Sequence, residues 1–110
     1  MNKTLESEIN QLHAEICAGL ADPTRIMILY ALSQSARNVT ELCNELDMPQ
    51  PLVSRHLKVL RERGMVTTER RGTVIVYSLG DKRLIQALDL LRESMRDTLS
   101  KRAELIHALS

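Results

Sequence analysis

The sequence predicts one mainly α-helical domain of 110 residues with a single β-hairpin between its fourth and fifth helices. Three observations carry that prediction. Apolar residues recur at steps of three and four through most of the chain, the spacing of one helix face. The period breaks over "MVTTERRGTVIVYSL", which is rich in β-branched residues. Proline and glycine fall between the periodic segments, where turns are needed.

The first helix is expected over residues 4–20, with Leu5, Ile9, Leu12, Ile16 and Leu20 as one stripe. In "ADPTR", Asp22 is a helix N-cap and Pro23 suits the first helical position. The second helix then runs through "RIMILYALS" with Ile26, Leu29 and Leu32 inward. "NVTELCNEL" opens a short third helix, with Thr40 as N-cap and Val39 before it as a staple. After "DMPQP" a fourth helix carries Val53, Leu57 and Leu60 on its buried side and ends at Gly64. Strands are expected at about 65–70 and 73–79, broken at Arg71-Gly72. Asp81 caps a last helix of about 81–108, with Leu84, Leu88, Leu91, Met95, Leu99, Leu105 and Ile106 as its apolar positions.

A chain of this length suits one domain, residues 1–110. Apolar residues make up 44% and aromatic residues 2%, with no Trp or Phe, so the core must be aliphatic. Only Tyr30 and Tyr77 offer rings, which argues against a stacking platform for single-stranded nucleic acid. A two-stranded hairpin cannot stand alone and must pack on the helices. The first and last helices lack obvious partners in so small a core, so their stripes are expected to pair across a two-fold axis in a homodimer. No apolar stretch reaches the roughly 20 residues that span a bilayer. No signal-peptide core follows the start, and a cytoplasmic location without membrane contact is expected.

Net charge is only +1, but Gln50 to Thr73 holds six basic residues against Glu62 and Glu69, a local +4. Helix, break and basic helix over 40–62 follow helix-turn-helix logic, in which the second helix lies in the DNA major groove. Gln50, Ser54 and Arg55 sit near its N-terminus. Gln matches adenine and Arg matches guanine in two-point contacts. His56 and Lys58 are placed for phosphates, which set register and salt dependence. Arg70, Arg71 and Thr73 at the hairpin tip form a wing toward the adjacent groove or backbone. The plain alternatives are a solvated charged face and a winged helix used only for protein contact or dimerisation. No glycine-rich phosphate loop and no catalytic constellation point to an enzyme.

"ADPTRIMILYAL", "VTELCNELDMPQPLVSRHLKVLRERGMV" and "RRGTVIVYSL" resemble the ArsR/SmtB family of bacterial winged helix-turn-helix repressors. The run from Val53 to Arg61 is similar to the family's recognition-helix signature. The resemblance implies a homodimer on a palindromic operator, with half-sites about one helical turn apart, released by an inducer.

The inducer divides the possibilities. Metal-sensing relatives carry Cys-x-Cys in the third helix, whereas here Cys43 is followed by Glu45 at the second position. A soft-ion site is weakened by that change. Other relatives bind zinc or nickel on the last helix; here only Glu104 and His107 resemble half of such a site. His13 and Cys17 lie one turn apart on the first helix and form another weak metal candidate. A third group of relatives senses oxidants or reactive sulfur through two cysteines, which would make Cys43 and Cys17 the sensing pair. The thiolate is the reactive form. A direct disulfide needs α-carbons within about 7 Å. Both cysteines as ordinary buried residues, with no thiol-dependent inducer, is the remaining reading.

Overall fold

The computed structural model describes all residues from Met1 to Ser110 and has the predicted order of elements. Helix α1 covers Lys3–Leu20. It is α-helical over Lys3–Leu12, π-wound over His13–Cys17 and α-helical again over Ala18–Leu20. Helix α2 is Pro23–Gln34, α3 is Val39–Leu46 and α4 is Gln50–Glu62. Strands β1 (Val66–Arg71) and β2 (Val74–Leu79) form the hairpin, and α5 is Lys82–Leu109.

Local chemistry explains the boundaries. Asp22 Oδ1 accepts the Thr24 N–H at 2.8 Å and Pro23 begins α2, as the sequence suggests. Asp81 caps α5 in the same way through the Arg83 N–H at 2.8 Å. The cap of α3 is Asn38, not Thr40. Asn38 Oδ1 accepts the Glu41 N–H at 2.9 Å, and Glu41 Oε1 accepts the Asn38 N–H at 3.0 Å. This reciprocal box satisfies two free donors at once and starts the helix ahead of Thr40. Gly64, at φ +71°, follows α4 in the left-handed region, as expected. The hairpin turn is Gly72-Thr73, one residue later than the Arg71-Gly72 break read from sequence. Arg71 pairs with Val74 across it. Gly72 at φ +65° takes the first central position of a two-residue turn, where glycine is favoured.

The core is aliphatic. Ile28, Leu29 and Leu32 of α2 meet Leu42 of α3, Val53, Leu57 and Leu60 of α4, Met65, Val66 and Leu88. Ile26 is half-buried and Ile28 takes the deeper place. The reason is that α2 is apolar on most sides and is wrapped by neighbours, so its inward face has no single phase. The hairpin is fastened to the helices by a backbone bridge. Tyr77 N–H donates to Arg37 O at 2.8 Å, and Arg37 N–H donates to Tyr77 O at 3.0 Å.

Both end helices carry apolar faces away from this core. Ile16 and Leu20 pack against it, but Leu5, Ile9 and Leu12 are 46%, 43% and 50% exposed. In α5 only Leu88 is buried; Leu91, Met95, Leu99, Leu105 and Ile106 are exposed. The radius of gyration is 17.5 Å, against about 13 Å for a compact chain of this length. Projecting helices account for the difference. No single helix is long and apolar enough to cross a membrane.

Candidate nucleic-acid interface

Helix α4 is divided lengthwise. Val53, Leu57 and Leu60 are fully buried, while Gln50, Ser54, Arg55 and Lys58 are exposed. The division follows from helical spacing: three core positions at steps of four and three fix one face and leave Ser54, Arg55 and Lys58 off it, while Gln50, three before Val53, is exposed because it opens the helix. Pro49 precedes the helix without a side-chain cap, so the first-turn N–H groups are uncovered by any side chain. None of the ion pairs in the chain involves Arg55 or Arg70. Lys58 Nζ lies 3.9 Å from Glu62, both side chains well exposed, a pairing too weak to withhold the lysine. At the wing, Arg70, Arg71 and Thr73 are exposed, and Arg71 lies 3.1 Å from Glu69 Oε2.

His56 is the exception and corrects the sequence reading. It is 7% exposed and faces inward, so it cannot serve as a surface phosphate contact. Its Nδ1 stands 3.2 Å from Arg25 Nη1. Arginine has only donors, so Nδ1 accepts and the ring proton sits on Nε2. Nε2 in turn faces Asp22 Oδ1 at 4.0 Å. Burial pushes the Asp22 carboxyl up, but the Thr24 and Arg25 backbone N–H groups and the Arg25 charge act against it, and the group is held below its ordinary value. The burial was legible: Val53, His56 and Leu60 are spaced three and four apart, on one helix face.

Two arginines with no local motif to single them out complete the frame of α4. Arg25 Nε also donates to Gly19 O at 2.7 Å, and its Nη2 donates to Ala18 O at 3.3 Å. Arg63, at the end of α4, donates to the carbonyl oxygens of Ala14 and Glu15 in the π turn of α1. These partners lie far apart in sequence, which is why no local pattern revealed them.

The sensing candidates lie on α1, α3 and α5. Cys43 is half-buried against the core, Cys17 is exposed in the π turn, and both are free thiols. Glu45, which stands where metal-sensing relatives have a second cysteine, is ion-paired with Arg37. His13, Glu104 and His107 are exposed. No three His, Cys, Asp or Glu side chains of the chain gather into a group that could hold a metal ion.

The model of the arsR family of bacterial regulatory proteins matches residues 22–68, from the cap of α2 into β1. The HTH-type transcriptional repressor SmtB of Mycobacterium tuberculosis is 42% identical over 93 residues, covering 84% of this chain and 69% of that protein. The chain belongs to the ArsR family. Its members are DNA-binding transcriptional regulators and not enzymes. The crystal structure of M. tuberculosis Rv0081 superposes with a TM-score of 0.76 at 32% identity, covering 86% of this chain and 96% of that one. The solution structure of Mb0332 from Mycobacterium bovis, at 23% identity and a TM-score of 0.76 over 92% of this chain and 93% of that one, shares the winged helix-turn-helix fold. As in the ArsR pattern, α3 and α4 form the helix-turn-helix and β1–β2 the wing.

Proposed function

We propose that this ArsR-family regulator is a cytoplasmic homodimeric repressor that binds a palindromic operator and is released by a thiol-reactive signal. The observation that carries the DNA reading is the division of α4: three residues lock it into the core, Ser54, Arg55 and Lys58 stand exposed away from that stripe, and Gln50 is exposed at the helix start. Gln50, Ser54 and Arg55 read base edges. Lys58, Arg70, Arg71 and Thr73 hold phosphates and the neighbouring groove. The exposed aliphatic faces of α1 and α5 support pairing through those helices, and the Mb0332 domain is described as homodimeric.

The thiol reading rests on two free cysteines, one of them within the first helix of the helix-turn-helix. An adduct on half-buried Cys43 has to displace part of the packing that holds α3, and α4 follows α3 after Asp47, Met48 and Pro49. A metal-sensing reading has less support, because no three such ligands gather within one chain.

Gel retardation with a salt titration tests the DNA reading; no retarded band, or a flat salt response, defeats it. Sedimentation tests the dimer. For the inducer, reduced protein is treated with a tetrasulfide donor, peroxide or metal ions, and Cys17 and Cys43 are followed by mass spectrometry alongside operator binding. If Cys43→Ser responds as wild type does to every agent, the thiol and metal readings both fail.

A further inference from the structure

The end of α1 and the DNA-reading helix are tied together at two places by arginine. Arg25 divides its donors between two carbonyls at the end of α1, Gly19 O and Ala18 O, and His56 Nδ1 in the middle of α4, with distances of 2.7, 3.3 and 3.2 Å. Arg63 reaches from the end of α4 to Ala14 O and Glu15 O in the π turn. Between these ties the two segments are in close contact. A Cβ on Gly19 would stand 2.7 Å from Met65 Sδ and 3.0 Å from Arg63 Cδ, so only glycine fits there without a shift. Hydrophobic contact is non-directional, so the apolar core by itself sets the roll of a helix less sharply than hydrogen bonds do. A planar guanidinium with several occupied donors is directional. His56 follows directly on Arg55, so its orientation sets where Arg55 points.

We propose that His56, held by Arg25, and Arg63 are positioning residues for DNA recognition: they fix the roll of α4 against α1, the helix whose exposed Leu5, Ile9 and Leu12 form part of the proposed dimer face. This rests on α4 being the DNA-reading helix. In a two-fold dimer the placement of each reading helix in its half-site then depends on a polar tie outside the helix-turn-helix.

The variants are His56→Leu, which fills the space without an acceptor, and His56→Asn, whose Oδ1 replaces Nδ1 as acceptor. Arg63→Ala and Arg63→Lys form the second pair and leave the core untouched should His56→Leu not fold. Binding is measured on a palindromic duplex selected by the wild-type protein from a random pool, and on a scrambled duplex of equal length. The expected result is a loss of about tenfold on the selected duplex for His56→Leu and Arg63→Ala, with scrambled-duplex affinity and salt slope unchanged and most affinity restored by His56→Asn. Selected-duplex affinity equal to wild type in both His56→Leu and Arg63→Ala overturns the tie. So does equal loss on both duplexes with a salt slope lower by about one, the mark of a lost phosphate contact. A wild-type chain that retards no duplex defeats the DNA reading itself, which separates the two failures.

Discussion

The Tyr30 hydroxyl donates to Asp89 Oδ1 at 2.6 Å and joins α2 to α5 directly beside Leu88, the one buried residue of α5. Arg92 lies over the Tyr30 ring at 5.3 Å. Burial and then the Asp89 hydrogen bond raise the Tyr30 phenol above its ordinary value, against an opposing pull from Arg92. A raised folded-state value favours the neutral phenol. The stability it contributes is complete below the unfolded value, about pH 10, and is lost as pH rises through the folded value. Tyr30→Phe is expected to lose about 1 kcal/mol at neutral pH. Urea midpoints of wild type and Tyr30→Phe, compared from pH 8 upward, should converge at alkaline pH; a constant gap would refute the assignment.

The start of α3 rests on Asn38 and Glu41. Asn38→Ala should cost about 1 kcal/mol in thermal denaturation, and Thr40→Ala much less, because Thr40 already lies inside the helix. An equal cost for both would restore Thr40 as the cap.

Gly80 closes the wing against the turn after α4. Its N–H donates to Met65 O at 2.9 Å, and a Cβ there would stand 2.7 Å from Gly64 O. The obstacle is backbone, which cannot swing aside. Gly80→Ala should destabilise by about 1–3 kcal/mol. Denaturation midpoints within error of wild type would show that the wing shifts freely.

The proposed roles of Arg55 and Arg70, reading a base and holding a phosphate, have different signatures. Arg55→Ala should relax preference at one base position by about 1–3 kcal/mol, while Arg70→Ala should weaken all duplexes alike and lower the salt slope by about one. Binding to a set of single-base operator variants across a salt series distinguishes them, and an unchanged preference in Arg55→Ala removes it from base reading.

Accessibility orders the thiols. A bulky alkylating reagent should label Cys17, exposed in the π turn, well before half-buried Cys43. Peptide mass spectra over a time course read this, and simultaneous labelling would mean that α3 opens readily.

Elements with strong local chemistry were legible in the sequence. Asp22-Pro23, Gly64 and Asp81 mark boundaries through hydrogen bonds within a few residues of themselves, and the 53, 57, 60 stripe gave the buried side of α4. What the sequence concealed was non-local. Arg25 and Arg63 find their partners across the fold, and the π turn at His13–Cys17 has no residue pattern of its own. His56 was misread because a polar residue beside Arg55 and Lys58 looks like part of the charged face. Its half-buried partner Arg25, which makes the inward position tolerable, lies 31 residues away in the chain.

Beyond Leu88, α5 has no buried residue for its remaining turns, about six. A helix with no tertiary cover exchanges its amide hydrogens nearly as fast as a free peptide, since each turn frays independently of the core. The amides of residues 95–107 are therefore a direct gauge of what lies against them. Protection that rises with protein concentration registers a second copy, and slow exchange there at high dilution would mean that something else covers that face.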